Sequence, residues 1–382
     1  MNRKHPPSIW TESNLDLVLL VCIAGCGSRW QATVVAPDGS LYAVDRRVLE
    51  DLSDFAEEGH GIPLERVLWQ AGHPLVERIT VTGPGGEHHE FQWAAVADDA
   101  WWLDGGQLAV GGDQFPASRL EVEAPSSLGQ VQASITDLAP TVAAALQLPT
   151  PTPNKGEPLK IPASSHVMLL FLDGLGYLRY VEALDEGLVP NLAALGEPRM
   201  GLTVYPPSTS VASAALLTGA PPEVNAVDRR GIRKTETETL FDIVSAAGLD
   251  VVAIEGEALA FNLRNSKMQL SGDRDGNGST DDNVLANALA ALEDGTPDLF
   301  YVHFHGIDDA GHTYGPGVPE EEAAIRQVDA AVGQLVEALP PGTLVIAFAD
   351  HGMHRVEEEG RLGNHGHLIE RDMLIPIWVV GK

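Results

Sequence analysis

An α/β fold is predicted for this chain of 382 residues: a mostly parallel sheet flanked by helices on both faces, with a small mainly-β domain in front. Three observations predict it. The stretch 167–177, VMLLFLDGLGY, is apolar for one strand length and then turns at Asp-Gly, as a buried parallel strand does. From there to the carboxyl end such runs alternate with helical periods. Ahead of them, residues 29–110 read as short strands between Gly- and Pro-rich turns.

The length allows two or three domains with ample core. Hydrophobic residues make up 44% of the chain, as in a globular protein. The net charge is −30, from 54 acids against 24 bases. That balance opposes broad contact with nucleic acid or an anionic membrane, and no stable nucleic-acid binding is expected. It leaves an anionic substrate open, because bound cations reverse the local sign.

Residues 17–25, LVLLVCIAG, are too short a run to span a bilayer as an ordinary helix. The basic start Asn2-Arg3-Lys4-His5 and the close Ile23-Ala24-Gly25-Cys26 resemble a bacterial signal and lipobox. That resemblance implies a segment 1–26 ending in a lipid-anchored Cys26, and an extracytoplasmic protein attached to a bacterial membrane. The alternative is a first buried strand of a cytoplasmic protein. Cys22 and Cys26 are the only cysteines, so the body has no disulfide framework and no cysteine metal site.

The small mainly-β domain is expected over 27–112. It has strand pairs around Pro37-Asp38-Gly39 and around Gly83-Pro84-Gly85-Gly86, with short helices at 48–55 and 63–71. The stretch GIPLERVLWQAG resembles a β-rich molybdopterin-binding oxidoreductase domain. That family's cofactor-ligating cysteine has no counterpart, so no function follows. His88-His89 reads as a strand end before a metal pair, and Trp93, Trp101 and Trp102 as core before a ligand platform.

Residues 134–159 form a helix capped by Thr136 or Asp137, with Pro140 in its first turn, then a Pro/Thr linker. The segment resembles the "DIAPT" helix and "G-x-P-L" of the alkaline phosphatase superfamily, where it follows the last metal-binding histidine. Here it comes first. The resemblance implies a circularly permuted catalytic domain, 115–382, with 115–160 as the displaced carboxyl-terminal piece. Residues 115–148 would then supply the strand and helix that would otherwise follow Gly381. The alternative is a chance helix in a linker.

Within the core, Asp173 ends the first strand, where open α/β sheets place ligands. VPNLAALG (189–196) resembles the superfamily's "PNL" helix. In 201–227, a hydroxyl cluster precedes a small-residue helix, and a hydroxyl there meets the positive helix end and its unpaired N–H groups. Plain N-capping by Ser208, Thr209 or Ser210 explains it equally in isolation. The run resembles the nucleophile segment of the type I phosphodiesterase/nucleotide pyrophosphatase family. The family's spacing from the "TG" threonine, Thr218, implies Thr209, with Ser208 and Ser210 as fallbacks. The family's phosphate-orienting Asn is Ala212 here, so one donor is missing or comes from elsewhere.

A polar excursion follows the next helix and strand. Asp273, Asp275, Asn277 and Asp281 have the spacing of a calcium loop, with Gly278 in place but Val284 where the bidentate acid belongs. A solvated turn is the competing reading. The strand in 298–317 leads to Asp308 and His312, one helical turn apart and able to share a metal. Gly311 and Gly315 would let backbone pass near the ions. With Gly315-Pro316 after them, the pair resembles the family's "D-x-x-G-H-x-x-G-P". His303 and His305 read as core or supporting residues. An acid-fronted helix at 319–338 precedes Asp350-His351-Gly352-Met353 and then His365 and His367. The family pattern implies His365 as a ligand, with His367 as the fallback.

The resemblance implies one ion on Asp308, His312 and His365, and another on Asp173, Asp350, His351 and the Thr209 oxygen. Such donors suit Zn²⁺, with Mn²⁺ as the alternative, and Ca²⁺ only at the polar loop. Two ions about 4 Å apart clamp a phosphoryl group. Implied, then, is a phosphodiesterase or nucleotide pyrophosphatase that takes a small phosphate ester through a phospho-threonine and needs no basic pocket. A phosphomonoesterase or phosphomutase of the superfamily is the alternative enzyme. A non-catalytic, anchored metal- or ligand-binding surface protein is the alternative of another class.

Overall fold

The computed structural model describes residues 30–35, 39–103, 105–358 and 360–382. The expectations for 1–26, including the lipid anchor at Cys26, and for most of the Pro37-Asp38-Gly39 turn lie outside the described residues. Among the described residues, no helix is long and apolar enough to cross a membrane.

Eight strands form the large sheet. In chain order they are β1 (Ala133–Ser134), β2 (Val167–Leu172), β3 (Arg199–Leu202), β4 (Val251–Glu255), β5 (Lys267–Leu270), β6 (Leu299–Phe304), β7 (Leu344–Phe348) and β8 (Leu374–Gly381). Their spatial order is β1-β3-β8-β7-β2-β6-β4-β5. All pairings are parallel except the two made by β8. Central β2, β6 and β7 are buried along their whole length, which is why their sequences are continuous apolar runs rather than alternating ones. The helices that position the site are α1 (Leu138–Ala145), α2 (Thr209–Thr218), α3 (Asp281–Asp294), α4 (Gly306–Tyr314) and α5 (Pro319–Ala338).

The segment that resembles a displaced piece is built into this sheet. β1 pairs in parallel with β3 at the edge, and the α1 side chains Leu138, Val142 and Ala145 are fully buried in the main core. Ser134, not Thr136 or Asp137, caps the turn leading into it, and Asp137 reaches back to the Ser134 N–H. The strand expected from 115 onward goes elsewhere: Asp113–Pro116 and Arg119–Glu123 lie in sheets of the front unit. The alternation RLEVE, with Leu120 and Val122 inward, suits a half-covered sheet and not one buried on both faces, and the strand pairs in parallel with Ala32–Val35 and antiparallel with Arg78–Thr82.

The front unit has a five-stranded sheet and a four-stranded sheet. Trp93 and Trp102 are buried in this unit's core, whereas Trp101 lines a cavity. His88 and His89 stand on a strand that alternates between exposed and half-buried, and His88 bonds to Thr82. Tyr205, Leu368, Ile369, Met373 and Leu374 of the large-sheet part pack into the front unit's core, so the two parts share an apolar seam.

Gly352 of the Asp-His-Gly-Met turn has no room for a side chain. A Cβ there would overlap the Arg371 carbonyl oxygen and press on the Gly176 backbone. Gly352→Ala is expected to destabilise the protein by about 3 kcal/mol, measurable as a shifted urea midpoint. A Gly311 Cβ would meet Met353, so the tight approach at Gly311 serves packing and not passage beside ions.

Candidate metal and phosphoryl-transfer site

Parallel strands release their carboxyl ends along one edge, and the predicted residues collect there. Asp173 follows β2, and Asp350 and His351 follow β7. Asp308 and His312 lie on α4, not on the strand end, because Gly306 starts a helix two residues after Phe304. Thr209 is the first residue of α2, with Ser208 as the N-cap residue. His365 follows the strand Arg361–Asn364.

Two groups of ligand atoms result, each within 4.8 Å: Asp308 with His312 and His365, and Asp173 with Asp350 and His351. In the first, His312 Nε2 is 3.3 Å from Asp308 Oδ2 and 3.2 Å from His365 Nε2. The outer nitrogens face backbone carbonyls, His312 Nδ1 at 2.9 Å from Gly363 O and His365 Nδ1 at 2.8 Å from Pro207 O. With its Nδ1–H donated to Pro207 O, His365 keeps the Nε2 lone pair for the site, whereas the Arg361 guanidinium lies against both ring nitrogens of His312, 2.9 Å from Nδ1 and 3.1 Å from Nε2. In the second, His351 Nε2 is 3.2 Å from Asp350 Oδ2, 3.6 Å from Asp173 Oδ1 and 3.3 Å from Thr209 Oγ1. Its Nδ1 donates to Gly352 O at 3.0 Å. The His351 and His365 rings stack at 3.7 Å, which joins the two groups.

The carboxylates fit cations. Asp173 Oδ1, Asp308 Oδ1 and Asp350 Oδ2 are all buried without a hydrogen-bond partner. Orphaned anionic oxygens at this depth are costly unless positive charge reaches them. Burial, with Asp173 and Asp308 nearby, pushes the Asp350 carboxyl well above its ordinary range. Burial also raises Asp173, but His303 and His305 outweigh it and hold that carboxyl low.

His303 and His305 support the site from behind. His303 bridges Asp173 Oδ2 and Glu255 Oε1, at 3.1 Å each, and His305 Nε2 reaches Glu255 Oε2 at 2.9 Å. Glu255 was not singled out from the sequence, yet its signal matches that of Asp173: an acid closing an apolar strand, VVAIE. His367, the fallback ligand, points away to Glu65 and Asp98. Burial would lower its pKa, but those two carboxylates bring it up to about 11.

The calcium-loop set does not converge. Asp273 accepts from the Gly276, Asn277 and Gly278 N–H groups, whereas Asp281 is buried and accepts from the His305 and Gly306 N–H groups. Asp281 therefore tethers the β6–α4 turn. The remainder is an exposed turn satisfied by its own backbone.

A cavity of about 200 Å³ lies over the site, and Asp173, Thr209, Ser210, Arg230, Arg233 and Asp308 are among its lining residues. The two arginines correct the expectation of a site without basic groups. No motif marked them, because their loop is irregular and only the fold brings it over α2.

Residues 263–376 match the model of the family "Type I phosphodiesterase / nucleotide pyrophosphatase". The match takes in Asp308, His312, Asp350, His351 and His365. The catalytic subunit of GPI ethanolamine phosphate transferase 3 from Mus musculus is 35% identical over 75 residues, 20% of this chain and 7% of that protein. Human ectonucleotide pyrophosphatase/phosphodiesterase family member 7 is 37% identical over 78 residues, 19% of this chain and 16% of that protein. The likeness thus spans a small part of each relative. Among solved structures, phosphonoacetate hydrolase from Sinorhizobium meliloti 1021 aligns at 19% identity with a TM-score of 0.42, over 54% of this chain and 60% of that one.

Proposed function

We propose that the chain is a metal-dependent phosphoric ester hydrolase of the phosphodiesterase or nucleotide pyrophosphatase kind. The observation that carries this reading is the convergence of three buried, unpartnered carboxylate oxygens and three outward-anchored histidines beside a helix-initial threonine. Asp173, Asp350 and His351 would hold one divalent ion, and Asp308, His312 and His365 the other, with Zn²⁺ or Mn²⁺ matching the donors. When bound, the ions supply positive charge to the phosphoryl oxygens and lower the pKa of the hydroxyl nucleophile.

The chain's own groups do the rest. Thr209 Oγ1 attacks phosphorus as the bond to the leaving oxygen breaks, and water then displaces the threonine oxygen. The first N–H groups of α2 lack intrahelical acceptors and receive the phosphoryl oxygens. Arg230 and Arg233 take the charge that a diphosphate leaving group carries. They thereby supply hydrogen-bond donors where Ala212, in place of Asn, has none. The test is hydrolysis of bis-p-nitrophenyl phosphate beside p-nitrophenyl phosphate, with Zn²⁺ or Mn²⁺. Preference for the diester supports the reading, and preference for the monoester overturns its diesterase part. Arg233→Ala is expected to raise KM for a nucleotide pyrophosphate about tenfold. It should leave the p-nitrophenyl diester, whose leaving group has no phosphate, nearly unchanged. Equal effects on both would remove the arginine from substrate binding.

A further inference from the structure

A second cluster of ligand-type side chains lies where the front unit meets the catalytic part, and the phosphoryl-transfer reading does not use it. Asp98 comes from the front unit, between the strands His88–Gln92 and Ala100–Leu103. His354 begins the strand that follows Met353, and His367 lies just beyond His365. One ligand atom from each of the three falls within 4.8 Å of the others.

Both imidazoles are oriented from behind by carboxylates. His354 Nδ1 faces the Asp372 carboxylate at 2.9 and 3.0 Å, and Asp372 is fully buried. With the Nδ1 proton on that side, Nε2 carries the lone pair, and it is buried with no hydrogen-bond partner. His367 Nδ1 faces Glu65 Oε2 at 3.0 Å, and its Nε2 lies 2.7 Å from Asp98 Oδ1. Glu65 is itself fixed, for its Oε1 accepts the Leu368 N–H at 2.7 Å. Carboxylate behind, Nε2 in front is how metal-bound histidines are held. A buried Nε2 without a partner, beside a second imidazole and an acid, lacks only the cation.

We propose that Asp98, His354 and His367 form a divalent-cation site separate from the two ligand groups at the sheet edge. Two imidazoles and one carboxylate select Zn²⁺ or a similar borderline transition ion over Mg²⁺ or Ca²⁺. A cavity of about 370 Å³, lined by Asp98, Glu65 and His367 among others, adjoins the cluster and admits water as the fourth ligand. The ion joins Asp98 of the front unit to the chain that carries His351 and His365. It acts as a positioning element and takes no part in bond making. Without it, the front unit still meets the large-sheet part through the apolar seam, the His367 contacts with Glu65 and Asp98, and hydrogen bonds such as Val76 N–H to Leu368 O.

The test is metal content and anomalous diffraction on the full chain, equilibrated with micromolar free Zn²⁺. The expected result is an anomalous peak within bonding distance of His354 Nε2 and His367 Nε2. Asp98→Asn, at an exposed position the fold tolerates, should lower affinity at that peak at least tenfold, and His354→Gln should abolish it. Asp308→Asn, run in parallel, should weaken only the sheet-edge ions, so failure of one site is readable apart from failure of the other. No peak at His354 under saturating Zn²⁺, or an undiminished one in both variants at the junction, would overturn the proposal.

Discussion

Thr209→Ala is expected to reduce diester turnover by at least about 10³-fold while leaving metal content and melting temperature nearly unchanged. Three hydroxyls stand at the start of α2, but their surroundings differ. Ser208 and Ser210 are buried and their Oγ atoms have no hydrogen-bond partner, whereas Thr209 is half-buried and its Oγ1 lies 3.3 Å from His351 Nε2, although Ser210 lines the same cavity. Helix capping does not confound the result, because Ser208 holds the N-cap position and alanine is favourable at the first helical residue. Thr209→Ser should retain much of the rate, since it keeps the oxygen and loses one methyl group. If Ser210→Ala removed activity and Thr209→Ala did not, the nucleophile would be misassigned although the site stood.

What the sequence made legible follows from where each signal resides. Strands β2, β6 and β7 were readable because burial on both faces forces an unbroken apolar run. Asp173, Asp308 and Asp350 stood out because each closes such a run or follows it closely. Thr209 and His365 needed the family spacing, since a hydroxyl before a helix or a His-Gly pair alone has commoner explanations. Arg230, Arg233 and Asp98 were invisible, for they sit in connections between strands and helices and matter only through what the fold brings opposite them. The extent of the front unit was misjudged for a related reason. Residues from 115 onward were assigned to the displaced piece, but Asp113–Pro116 closes a hairpin on Gln107–Val110, and Arg119–Glu123 pairs with strands far away in sequence. Asp281 fitted a loop spacing, but spacing does not specify which backbone N–H groups a carboxylate will find.

Stripping the protein of divalent ions is expected to abolish turnover and also to lower its melting temperature. Each ion bound only by the native state contributes about 2.7 kcal/mol at a hundredfold excess over its Kd. The metal-free protein must also bring Asp173, Asp308 and Asp350 together with unpartnered buried oxygens. Asp350 makes the sign testable. Burial and its two acidic neighbours raise its folded pKa well above the ordinary carboxylate value. In the metal-free state its stabilising contribution is therefore complete below the unfolded pKa and is lost as pH rises through the raised folded one. Above the ordinary carboxylate range the metal-free wild type bears a growing share of that loss, so at neutral pH Asp350→Asn should melt higher than wild type when both are metal-free. With Zn²⁺ the order should reverse, because the amide gives up an anionic ligand. Calorimetry of both proteins, with and without chelator, reads the crossing directly. A melting temperature indifferent to chelator, with no crossing, would mean that these carboxylates are satisfied by something other than metal, and the hydrolase reading would lose its basis.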